Sequence, residues 1–103
     1  LSCVIDAHAV PVLPGAWEAA DACLYTAAGQ RNRNHTGPFV RFENVPFPME
    51  EILFDPQTSG GLLLAAAPQD AAALEQELRA AGLPAAIVGE ILEKQTTEIT
   101  VNY

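Results

Sequence analysis

The residues with most chemistry to offer stand together at 55–61, reading Asp55-Pro56-Gln57-Thr58-Ser59-Gly60-Gly61. They supply a carboxylate, hydroxyls and backbone N–H groups, and donors of that kind can hold an anion such as phosphate. Pro56 fixes its φ, and the paired glycines open conformations closed to other residues. Glycine-rich phosphate loops normally feed a helix, whose N-terminal N–H groups and dipole hold the anion. Here the apolar run Leu62-Leu63-Leu64-Ala65-Ala66-Ala67 follows instead, with no Gly-Lys-Ser/Thr. A nucleotide P-loop is therefore excluded. Two readings stay open: a structural corner, or a backbone nest in which Thr58 and Ser59 contact a phosphate or its metal.

A second group lies at 28–38, which is polar and irregular and holds Arg31, Asn32, Arg33 and Asn34. With Arg41 just beyond, it reverses the local sign of a chain whose net charge is −8. Arginine offers bidentate donors to oxyanions; exposed arginines on a solvated loop are equally ordinary. Asp6 and His8 share one face of a strand, but two residues do not make a metal site. Cys3 and Cys23 fall on apolar faces, where thiols are inert, and their spacing is no redox or metal motif. Glu50-Glu51 reads as a solvated charge pair. No Ser/His/Asp or Cys/His arrangement stands out, so neither a catalytic nor a metal-binding residue is assigned.

These groups need elements to position them. Residues 2–10 alternate, with Cys3, Ile5, Ala7 and Ala9 opposite Val4, Asp6 and His8, which predicts a strand. Pro14 opens a helix over 15–27, with Trp17 beside its apolar stripe. Residues 39–45 alternate as a strand, and 49–54 are a brief helical or extended segment. The run 61–67 is predicted as a strand buried on both faces, so the 55–61 loop would be anchored in the core. Pro68 then starts the clearest helix, over 68–81, with Ala71, Leu74, Leu78 and Ala81 inward and Gly82 as its stop. Residues 85–92 and 97–103 read as strands joined in a hairpin, and 61–92 as a β-α-β unit, right-handed if its strands are parallel neighbours. The fold class is α/β (or α+β), a mixed β-sheet with helices packed on it.

A chain of 103 residues, half of them hydrophobic and 17% charged, forms one domain and is not a disordered tail. Its acidity excludes broad nucleic-acid binding, which needs a basic surface. No apolar run is long enough for a membrane span. Two cysteines without a motif fit a reducing cytoplasm. The chain opens Leu-Ser-Cys without Met and runs straight into an apolar segment, which reads as a piece of a longer polypeptide.

The string Asp55-Pro56-Gln57-Thr58-Ser59-Gly60-Gly61-Leu62-Leu63-Leu64 resembles the signature near the C-terminus of selenophosphate synthetases (selenide, water dikinases). Ile5-Asp6-Ala7 with Val10-Pro11-Val12-Leu13-Pro14-Gly15 is similar to the family's strand and helix start. The Arg-Asn pairs within 30–34 resemble its Gly-Gly-Thr-x-Arg-Asn loop, although Ala28-Gly29 replace the paired glycines and either pair could be the match. Residues 85–90 are similar to its Ala-Ile-Gly-Glu ending. The resemblance implies an α/β domain like the C-terminal domain of aminoimidazole ribonucleotide synthetase. It implies a parent enzyme that makes selenophosphate from selenide and ATP, giving AMP and phosphate.

By the same resemblance, Mg²⁺ and ATP are bound mostly by an N-terminal ATP-binding domain, and the parent is a dimer. The reactive Cys or selenocysteine also lies there, so neither Cys3 nor Cys23 takes that role and this chain alone is not catalytic. The expected phosphate-facing residues are Asp55, Thr58, Ser59, Gly60 and Gly61, with Arg31, Asn32, Arg33 and Asn34 from the second group. The rival readings are a non-catalytic scaffold or dimerisation module, and the equivalent domain of another ATP-dependent enzyme of the superfamily. With part of the domain absent, one sheet face would be bare, and self-association is expected.

Overall fold

The computed structural model describes all 103 residues. Four short strands form one mixed sheet: β1 (Ser2–Asp6), β2 (Val40–Glu43), β3 (Gly89–Leu92) and β4 (Ile99–Asn102), in the order β2-β4-β1-β3. β4 runs parallel to both β1 and β2, while β3 is antiparallel to β1. The alternation of each strand sorts its side chains by face. The register aligns Phe42, Val101 and Ile5 across three strands on one face. On the other it aligns Arg41, Thr100, Val4 and Glu90.

The helices are α1 (Ala16–Asp21), α2 (Ala27–Thr36), α3 (Phe47–Phe54) and α4 (Pro68–Ala80), with a 3-10 turn at Gly37–Phe39. α3 covers the apolar face of the sheet. Its Met49 joins Ala7 and Val101 at the centre of the core, and Ile52 and Leu53 pack around them with Phe42, Ile5 and Ile99. α1 and α2 pack on α3. The opposite face, with Asp6, Glu90, Arg41, Glu43, Thr100 and Asn102, lines only shallow depressions.

The mixed sheet with helices on it is as the sequence predicts, but its connections differ. The last two strands are not a hairpin, because β1 lies between them. The turn that joins them crosses the start of β1, where buried Ser2 accepts from the Gln95 N–H (2.9 Å) and donates to the Thr97 carbonyl (2.9 Å). The predicted strand over 61–67 does not form. This segment has no regular structure, and Leu62, Leu63 and Leu64 are 87%, 77% and 55% exposed. A strand exists only where a neighbour completes its hydrogen-bond ladder, and no strand lies beside this run. The parallel β-α-β unit over 61–92 is absent for the same reason.

The helix expected over 15–27 stops at Asp21, and Cys23 takes φ 60° to turn the chain. The polar stretch at 28–38 is helical rather than a loop, because Thr26 caps it: its Oγ1 accepts from the Gly29 N–H at 3.0 Å. α4 follows the sequence reading closely, with Ala71, Leu74 and Leu78 half-buried and Gly82 at φ 82° just past its end. Ala81, placed inward by the pattern, is exposed. The Glu75–Arg79 pair forms at 2.8 Å, and Arg79 also donates to the Ala85 carbonyl.

Gly89 sets the spacing between β3 and β1. A Cβ there would collide with the Val4 carbonyl oxygen and come within 3.1 Å of Ile5 Cα. Gly89→Ala is therefore expected to destabilise the fold by about 1 to 3 kcal/mol through overpacking against backbone. Thermal unfolding followed by circular dichroism checks this, with Gly61→Ala, where the space is open, as the control.

Candidate functional site

α2 and α3 meet at one end, and that meeting brings together the two groups singled out in the sequence. The first turn of α2 backs onto the last residue of α3. A Cβ built on buried Gly29 would stand 3.6 Å from the Phe54 carbonyl oxygen and 3.9 Å from Asp55 Cα. The positive end of one helix dipole thus faces the negative end of the other, an arrangement that stabilises both termini. Asn32 Nδ2 donates to the Phe54 carbonyl at 2.9 Å, satisfying one of the carbonyls that a helix end leaves unpaired. The Thr26 hydroxyl, already accepting from Gly29, stands 3.4 Å from Asp55 Oδ1, to which it donates. The Asp55 carboxylate therefore lies at the N-terminus of α2, where negative charge is favoured.

From that junction the loop runs into solvent. Asp55 is half-buried, whereas Pro56, Gln57, Thr58, Ser59, Gly60 and Gly61 are all exposed. Gly60 folds back on Gln57, for a Cβ there would come within 2.7 Å of Gln57 Cβ. The hydroxyls of Thr58 and Ser59 are thus open to a ligand. The loop is held at its start and, contrary to the sequence reading, is not continued into a buried strand.

The residues at 31–34 separate into different roles. Arg33 turns inward against α3: Nη1 lies 2.7 Å from Glu50 Oε2, and Nε and Nη2 lie 2.9 and 2.6 Å from Glu51 Oε1. Its guanidinium also stands 4.8 Å from the ring centre of Phe54 and 5.3 Å from that of Phe47, within cation–π range. Burial pulls the Arg33 pKa down, but the hydrogen bonds and charges of Glu50 and Glu51 outweigh it and hold it above its ordinary value. Glu51, read from sequence as solvated, has a side chain only 1% exposed. The Glu50-Glu51 pair is therefore an anchor and not a surface charge. Asn34 accepts from Gln30 at 3.3 Å, and Arg31 is exposed.

Asp6 and His8 do meet, but as a local turn in which the His8 N–H donates to Asp6 Oδ1 at 2.9 Å. The His8 ring lies against Tyr103, tilted by 32°, with centroids 3.8 Å apart. Cys23 is exposed and Cys3 half-buried, so the expectation of two buried thiols fails for Cys23. No three His, Cys, Asp or Glu side chains converge on a point where a metal ion could be held. Sequence reasoning missed Thr26 altogether. Its signal was there, a hydroxyl residue three positions before Gly29, but only the packing of α2 on α3 gives that cap something to hold.

The model for the C-terminal domain of AIR synthase related proteins matches residues 1–102 of this chain. A selenide, water dikinase of Agathobacter rectalis is 52% identical over 103 residues, covering 99% of this chain and 30% of the relative. One from Desulfitobacterium hafniense (strain Y51) is 44% identical over 99 residues, covering 93% of this chain and 28% of the relative. One from Treponema denticola is 37% identical over 108 residues, covering 99% and 30%. The chain thus spans less than a third of the length of these relatives.

The Arg33 contacts make a stability prediction. Arg33→Ala leaves the Glu51 carboxylate buried and unpaired, and is expected to cost about 2 to 4 kcal/mol in urea unfolding. Arg33→Lys should recover little of this, because an ammonium cannot reproduce the fork that reaches both carboxylates.

Proposed function

The chain belongs to the family of the C-terminal domain of AIR synthase related proteins, and on that premise we propose that it serves as the C-terminal portion of a selenide, water dikinase. The observation that carries this reading is the 55–61 loop, fixed at Asp55 and projecting Thr58 and Ser59 into solvent. The relatives matched along nearly the whole chain bear that enzyme's name.

In this reading the whole enzyme makes selenophosphate from selenide and ATP, releasing AMP and phosphate, and acts in the cytoplasm. ATP and Mg²⁺ belong mainly to the N-terminal domain of that enzyme. The chain's own part is to wall the active site. Thr58 and Ser59, with the backbone N–H groups of Gly60 and Gly61, face a phosphate oxygen or the selenium species. Phosphoryl transfer depends chiefly on positioning and charge stabilisation, so donors on a fixed loop are a contribution a second domain can make. Replacing Thr58 by Ala in the full-length enzyme is expected to lower selenide-dependent AMP formation about 100- to 1000-fold, the range for losing one well-placed donor. Unchanged turnover would sink the ligand-loop reading.

A second role rests on Leu62, Leu63 and Leu64, whose exposure favours a contact surface, either for the rest of the enzyme or for a second copy in a homodimer. The chain by itself is then expected to self-associate. Light scattering at increasing concentration checks this, and Leu63→Lys should shift the distribution toward monomer.

A further inference from the structure

The 55–61 loop poses a mechanical problem. Its residues from Pro56 onward are exposed, and the segment after it, 61–67, is exposed and outside the sheet. Within this chain nothing downstream holds Thr58 and Ser59 before Pro68 begins α4. The hold that this chain itself supplies acts at the upstream end, where the backbone leaves α3.

The contacts of α2 with that point come from its N-cap and its second turn. Asn32 Nδ2 grips the Phe54 carbonyl at 2.9 Å, and Thr26 Oγ1 reaches Asp55 Oδ1 at 3.4 Å. Between them Gly29 is buried, and it has no side chain to separate the helix from the Phe54–Asp55 peptide. Each contact settles a different atom: the carbonyl fixes the peptide plane after Phe54, and the carboxylate fixes the direction of the Asp55 side chain. The residue after Asp55 is Pro56, whose own φ is locked, so the orientation set at 54–55 passes to Gln57 with little play. Thr58 follows directly.

We propose that Asn32 and Thr26 are positioning residues, a clamp on α2 that aims the 55–61 loop and so sets where Thr58 and Ser59 stand toward the substrate. This deepens the reading of the loop as a ligand loop and rests on it for its catalytic consequence. Asn32 then acts through the Phe54 carbonyl rather than by touching a phosphate itself. Arg33 is separate: it anchors α2 to α3 one residue away, so the clamp can be opened without removing that anchor.

The test uses the full-length enzyme with Asn32→Ala and, separately, Thr26→Val and Thr26→Ser, each read in two ways. Hydrogen–deuterium exchange of the peptide covering 55–61 reports the clamp without reference to activity. Opening it should speed exchange there about fivefold or more while α3 keeps its protection. Selenide-dependent AMP formation reports the consequence, with turnover falling about tenfold or more from misplacement of the loop. Thr26→Ser, which keeps the hydroxyl, should match the parent in both. Unaltered exchange at 55–61 in both Asn32→Ala and Thr26→Val overturns the clamp. Faster exchange with full turnover overturns its role in the reaction. If Asn32→Ala does not fold, the contrast between Thr26→Val and Thr26→Ser decides by the same two readouts. Failure of the ligand-loop reading shows separately, as full activity in Thr58→Ala with exchange at 55–61 still dependent on Asn32.

Discussion

The rest of the structure depends on the seating of Arg33 between α2 and α3. Its guanidinium spends donors on both Glu50 and Glu51 and lies over the rings of Phe47 and Phe54. Glu51 is almost wholly withdrawn from water, a position a carboxylate tolerates only with a paired cation. The pair therefore acts as a constraint on geometry as much as a source of stability. α3 can lie on the sheet with Glu51 turned away from solvent only if α2 lies alongside it in this register.

Once α2 is seated so, its N-terminus is delivered to the C-terminus of α3. The opposed helix dipoles, the Thr26 cap and the Asn32 amide then converge on the Phe54–Asp55 peptide. The N-terminus of α2 thereby stands beside the start of the loop with the free hydroxyls. The ion pair is structural, and its consequence is the place and direction from which the loop leaves the core.

Much of this was legible in the residues. The alternation over β1 and β2 sorted their faces correctly, α4 could be placed from its starting proline to its terminal glycine, and the 55–64 string pointed to the family that the whole-chain match bears out. Other features were not legible. The polar stretch at 28–38 has no apolar stripe to mark a helix, because the face it turns to α3 is Gly29, Asn32 and Arg33, of which Asn32 and Arg33 find polar partners there instead of a hydrophobic core. The hairpin expected of the last two strands fails because strand order depends on a third strand, β1, from the other end of the chain.

The sequence by itself determined local matters: which segments alternate, where α4 starts and stops, and which seven residues hold concentrated donors. Those follow from propensities and spacing, which act over a few residues. Only the tertiary structure decided that Glu51 is an anchor, that Asn32 faces Phe54, and that Leu62, Leu63 and Leu64 lie exposed outside the sheet. Each of these depends on what stands opposite. A carboxylate is solvated or paired, and an apolar run is strand or surface, according to a neighbour far away in the chain.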